Sequence, residues 1–121
     1  KNNYYISWDW WYWPHFKDIW TKYWPFDATF IEWAQYNPRW ANIHMFPEES
    51  VQANIDVWWK NMILSHWWSF TLSKHSWNEP IIRALNEAKI SNVNLITPKI
   101  WELVILKTDL KQLNNWWGKI D

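Results

Sequence analysis

A chain of 121 residues with 12 basic side chains, 12 acidic side chains and no cysteine is one domain's worth of polypeptide, long enough to bury a core without disulfides or a metal. The charge balance excludes a broad electrostatic footprint for nucleic acid or acidic lipid, and the lack of Cys excludes disulfide frameworks, thiolate metal sites and Cys nucleophiles. No apolar run approaches the ~20 residues of a membrane span, and the opening KNNYYISWDW lacks the basic-then-apolar pattern of a secretory signal, so a cytoplasmic domain with no membrane or nucleic-acid partner is expected.

Tyr4-Tyr5-Ile6-Ser7-Trp8 is β-prone and ends at Asp9, which predicts a first strand. Pro14 opens a helix with Phe16, Ile19, Trp20 and Tyr23 at helical spacing, and Pro25 stops it. The stretch from Asp27 to Tyr36 reads as a short strand running into a short helix. Asn37-Pro38 is a break. Trp40 to Met45 reads as a strand that Pro47 ends. From Glu48 the spacing of Val51, Ile55, Trp58 and Met62 predicts a helix, with Glu48 and Glu49 suited to its positive end. Trp68, Phe70 and Leu72 alternate as in a strand. Asn78 and Pro80 open the next helix, with Ile81, Leu85 and Ala88 on its buried stripe. Val93 to Ile96 is a short strand between Asn92 and Pro98. A last helix places Leu103, Leu106, Leu110, Leu113 and Trp117 on one side.

Sixteen Trp stand against one Gly, Gly118, where ordinary usage gives roughly 8 Gly. Turns that need positive φ must therefore rely on Asn or Asp. Adjacent pairs such as Trp10-Trp11, Trp58-Trp59, Trp67-Trp68 and Trp116-Trp117 cannot all point inward, because neighbours diverge. Indoles scattered in this way read as a biased or engineered composition rather than as an aromatic binding surface.

Strand and helix alternate about five times, which predicts a five-stranded parallel sheet covered by helices on both faces. The expected fold is an α/β doubly wound, three-layer sandwich of flavodoxin-like order, spanning residues 1–121 as one domain. In such folds chemistry lies at the carboxyl ends of the strands. The polar residues there are Asp9, the stretch Asn42 to Met45, Ser73 and Thr97.

These segments resemble the receiver domain of two-component response regulators. TLSKHSWNEPIIRAL is similar to the family's fourth strand, its hydroxyl residue and the following helix. EAKISNVNLITP resembles the run through the fifth strand to the Lys-Pro pair. NIHMFPEES resembles the phospho-acceptor loop, YYISWDW the first strand with its acidic pair, and FKDIWTKYW the first helix. The resemblance implies a non-enzymatic phosphorelay module that meets a histidine kinase or phosphotransfer protein. It places Asp9 as the residual Mg²⁺ ligand, Asn42 at the phospho-acceptor position, Ser73 as the phosphoryl-contacting hydroxyl and Thr97 at the Lys position. Trp10 replaces the second acid of the pair. An amide at Asn42 is no carboxylate nucleophile, and Thr97 supplies no cation for a phosphoryl group. Mg²⁺ gains most of its affinity from carboxylates, so metal binding is expected to be weak or absent and Asp phosphorylation impaired.

Two other readings exist. His44-x-x-x-Glu48 with ILKTD at Ile105 to Asp109 resembles fragments of hemerythrin-like di-iron bundles, although Pro47 lies between the first pair. A redesigned scaffold without natural activity would account for aromatics at positions where charge or Gly is expected. There is no Gly-rich phosphate loop, nucleophile elbow or zinc spacing, and the four His read as ordinary surface or core residues.

Overall fold

The computed structural model describes residues 2–33, 35–57, 60–66, 72–106 and 116–119. Four short strands run β1 (Tyr4–Ile6), β2 (Ala28–Glu32), β3 (Asn61–Ser65) and β4 (Asn94–Ile96). Three helices connect them: α1 (His15–Tyr23), α2 (Pro47–Asp56) and α3 (Glu79–Ile90). The strands lie in the order β1-β2-β3-β4, and every neighbouring pair is parallel. The fold is α/β around a parallel sheet, with four strands among the described residues rather than the five expected.

Each connection advances one strand in the same direction. Right-handed crossovers of that kind lay their helices on a single face, and the packing agrees. Register puts Tyr5 beside Thr29 and Met62, and Ile31 beside Leu64. That face meets Phe16 of α1, Val51 and Ala53 of α2, and Ile81, Ala84, Leu85 and Ala88 of α3 in one core. A doubly wound sheet needs a reversal of strand order, and the four described strands contain none.

Local chemistry explains most of the helix boundaries. α1 begins after Pro14 and carries Asp18 in its first turn and Lys22 in its last, both favourable to the dipole. At the start of α2, Pro47 fills a position whose N–H needs no partner, and the Glu49 carboxylate accepts the Phe46 N–H at 2.8 Å. α3 begins beyond Asn78 with Pro80 in its first turn. It ends before Asn92, which takes φ 56°, a conformation Asn tolerates better than most residues.

The structure corrects the expected elements in four places. The strand expected from Asp27 is β2, but no helix follows it among the described residues up to Tyr36. Trp40 to Met45 is not a strand: Pro38–Trp40 forms a 3₁₀ turn, and the Trp40 indole N–H donates to the Gln35 carbonyl at 2.8 Å. The helix opened by Glu48 stops at Asp56, and Met62 lies instead in β3. Residues 101–106 hold no helix, and Trp117 lies in a 3₁₀ turn over Trp116–Lys119. Trp58, most of the expected Trp68–Leu72 strand, and Leu110 and Leu113 lie outside the described residues. No helix among the described residues is long and apolar enough to cross a membrane.

Candidate metal centre

The loops that leave β1, β2 and β3 all emerge at the carboxyl edge of the sheet. Each carries one metal-competent side chain to the same place. Asp9 follows β1, His44 lies between β2 and α2, and His66 follows β3 directly. Glu32 is the last residue of β2 itself. Ligand atoms of Asp9, Glu32 and His44 all lie within 4.8 Å of one another. His66 Nε2 lies 3.5 Å from Asp9 Oδ1, and the His44 and His66 rings are 5.9 Å apart between centroids.

Burial is graded across the group. Glu32 is only 1% exposed. The side chains of His44, His66 and Asp9 are 20%, 56% and 58% exposed. The cluster therefore has a closed inner end and an open outer end. Burial pushes the His44 imidazole below its ordinary pKa; the Asp9 charge opposes that shift and His66 adds to it. His44 is thus held toward its neutral, ligand-competent form. His66 adopts φ 68°, a left-handed conformation that costs a non-glycine residue about 1–2 kcal/mol.

The inner end is anchored from two sides. The Ser7 hydroxyl, 2% exposed, accepts the Glu32 N–H at 2.6 Å. The Ser50 hydroxyl of α2 donates to the Glu32 carbonyl at 3.0 Å. The segment that carries His44 is tied down at Glu48, whose carboxylate takes Arg83 Nε at 2.7 Å and Nη2 at 2.6 Å. Arg83 Nη1 also donates to the Tyr36 hydroxyl at 2.8 Å.

Of the residues singled out from the sequence, Asp9 and His44 join this cluster. Asn42 is exposed in the turn before His44. Ser73 donates to the Tyr36 carbonyl at 2.9 Å, while its N–H donates to Gln35 Oε1 at 3.1 Å. Thr97, 1% exposed, receives the indole N–H of Trp116 on its carbonyl at 2.9 Å and that of Trp117 on its hydroxyl at 3.3 Å. Among the described residues no hydrogen bond or ion pair joins Asn42, Ser73 or Thr97 to Asp9. His44 and Glu48, paired in the helical-bundle reading, diverge to Glu32 and Arg83, and a parallel sheet is not a helical bundle.

In the sequence His44 stands out only in the stretch Asn42 to Met45 and paired with Glu48, and neither His66 nor Glu32 stands out as a ligand. Spacing along a single element cannot reveal them, because Glu32 ends β2 while His44 and His66 lie on separate loops. The usable signal was positional, because each donor ends or follows a parallel strand. It became visible only once β3 was placed immediately before His66.

No protein-family model matches the chain. The uncharacterized protein Rv0906 of Mycobacterium tuberculosis is 35% identical over 105 residues, which cover 84% of this chain and 28% of that protein. The uncharacterized protein Mb0930 of Mycobacterium bovis matches to the same extent, 35% over 105 residues. The outer membrane protein RomA of Klebsiella pneumoniae is 44% identical over 46 residues, 38% of this chain and 35% of RomA. The chain thus spans little more than a quarter, 28%, of the length of the mycobacterial relatives it matches.

Proposed function

We propose that Asp9, His44 and His66 form a divalent transition-metal centre, and that the chain carries the metal-binding rim of a metal-dependent hydrolase. The observation that carries this reading is the gathering of Asp9, Glu32 and His44 ligand atoms within 4.8 Å of one another at the carboxyl edge, with His66 Nε2 3.5 Å from Asp9 Oδ1. Bond lengths of roughly 2.1 Å to imidazole nitrogen and carboxylate oxygen set tetrahedral ligand atoms about 3.4 Å apart. The 3.5 Å between His66 Nε2 and Asp9 Oδ1 is that spacing. Two imidazoles and a carboxylate suit zinc or a neighbouring first-row ion better than Mg²⁺.

Three protein donors leave a coordination position open, as catalytic sites do. An ion held there supplies a bound water of lowered pKa and a Lewis-acid site for the oxygen of an ester or phosphoester bond. The protein's own part is to hold the donors and keep the inner end dry. Glu32, Ser7 and Ser50 close that end, while the exposed edges of Asp9 and His66 leave the outer end open to substrate. This reading departs from the expectation of a non-enzymatic module.

Equilibrium dialysis against Zn²⁺, Co²⁺ and Mn²⁺, with metal analysis of the protein, tests it. One ion per chain is expected, lost in Asp9→Asn and in His66→Ala. Hydrolysis of a nitrophenyl ester and of bis(nitrophenyl) phosphate should then depend on the bound ion. Binding that is absent, or equal in wild type and both variants, would sink the reading.

A receiver-like phosphorelay module is the second reading. It draws on the parallel α/β sheet and on Asp9 at the carboxyl edge, and the finer flavodoxin-like layout and the histidine-kinase partner belong to it. Phosphoramidate with Mg²⁺ followed by intact-mass measurement separates the two: a stoichiometric phosphoryl adduct supports the receiver reading.

A further inference from the structure

We propose that Glu32 is a positioning residue for this centre and not one of its ligands. Its buried carboxylate fixes His44 in the Nδ1–H tautomer, so that Nε2 is the nitrogen left with a lone pair for the ion. The inference rests on the metal reading above and assigns a role within it.

Distance separates the two roles. Glu32 Oε1 lies 2.7 Å from His44 Nδ1. That is a charge-assisted hydrogen bond. It is too short for two atoms that share one tetrahedral ion, which stand about 3.4 Å apart. One proton must lie between the oxygen and Nδ1, and with an ionised carboxylate that proton is the imidazole's.

Placement agrees with the distance. Glu32 is 1% exposed, lies on the strand itself and meets the imidazole at Nδ1. The outer edge belongs to Asp9 and His66. Its backbone is fixed by its N–H donating to the Ser7 hydroxyl and by the Ser50 hydroxyl donating to its carbonyl, and its second oxygen is 3.5 Å from the Met45 backbone nitrogen. A rigid buried carboxylate behind a metal-binding imidazole is the usual means of choosing a tautomer and aiming a ring.

The charge also fits. An ionised carboxylate so far from water needs a compensating donor, and the imidazole N–H is one. An amide at this position would offer either an oxygen or an N–H to Nδ1. The N–H would demand the opposite tautomer and occupy the wrong lone pair.

The test is a double-mutant cycle on metal affinity, read by chelator competition with Zn²⁺ and Co²⁺ on the full chain. Glu32→Gln should weaken binding by about 10- to 100-fold and shift the visible bands of the Co²⁺ form. In the His44→Ala background the same change should add less than about twofold, because Glu32 acts only through His44. Losses that multiply across the two variants would make Glu32 a ligand and overturn the inference. So would a Glu32→Gln protein with wild-type affinity. Absence of binding in the wild type would instead defeat the metal reading. Tautomer-sensitive ¹H–¹⁵N correlation of the metal-free wild type needs no variant to fold. It should show His44 protonated at Nδ1, and protonation at Nε2 alone would refute the assignment.

Discussion

Arg83→Met is the most informative perturbation of the scaffold. Arg83 joins α3 to the start of α2 through a two-pronged pair with Glu48, at 2.7 and 2.6 Å. It also donates to the Tyr36 hydroxyl at 2.8 Å and lies 4.9 Å above that ring. The pair is shared with solvent, since the Arg83 and Glu48 side chains are 34% and 42% exposed. Each bond is therefore worth only about 0.5–1 kcal/mol. Three such bonds give an expected loss of about 1.5–3 kcal/mol, with the methionine keeping most of the apolar contact. Urea denaturation at pH 7 reads it directly. Burial pushes the Glu48 carboxyl upward, but the Arg83 hydrogen bonds outweigh it, and the net pKa is lowered. A depressed acid pKa means that the pair's contribution is complete above the unfolded carboxylate range. It is lost as pH falls through the folded value. The difference between wild type and variant should therefore be constant from about pH 5 upward and shrink below about pH 4. A loss under about 0.5 kcal/mol at pH 7, or one that is equal at both ends of that window, would refute the reasoning.

Trp101 adopts φ 65° and is 98% exposed, so Trp101→Gly removes left-handed strain and forfeits little packing. A gain of about 1 kcal/mol in the same urea assay is expected. Ile31→Ala empties a fully buried position in the central strand and should cost about 2–5 kcal/mol, seen as a lower melting temperature. The Thr29 hydroxyl donates to Asn54 Oδ1 within the core. Thr29→Val should leave that acceptor without this donor and cost about 1–3 kcal/mol by chemical denaturation.

Elements with punctuation were legible in the sequence. Pro14 and the Phe16, Ile19 stripe locate α1, Pro80 and the Ile81, Leu85, Ala88 stripe locate α3, and Asn92 and Pro98 bracket β4. The boundary between α2 and β3 was not. Val57 to Lys60 offers neither Gly nor Pro, so the helical spacing ran on through Met62 and hid the strand. Trp40 to Met45 misled in the opposite way. Its apolar residues suggested a strand, but Pro38 begins a 3₁₀ turn there, and Trp40 bonds back to Gln35. The candidate centre was half legible for the same reason. Asp9 stands at the end of an obvious strand, whereas His66 stands at the end of the hidden one.

The left-handed backbone at Trp101 shows what a chain with a single glycine, Gly118, does at its turns. A bulky β-carbon sits where a residue lacking one would rest without strain. Such a turn is held by the chain on either side of it rather than by its own preference, so its conformation should be more sensitive to truncation nearby than that of Asn92, which tolerates the same region.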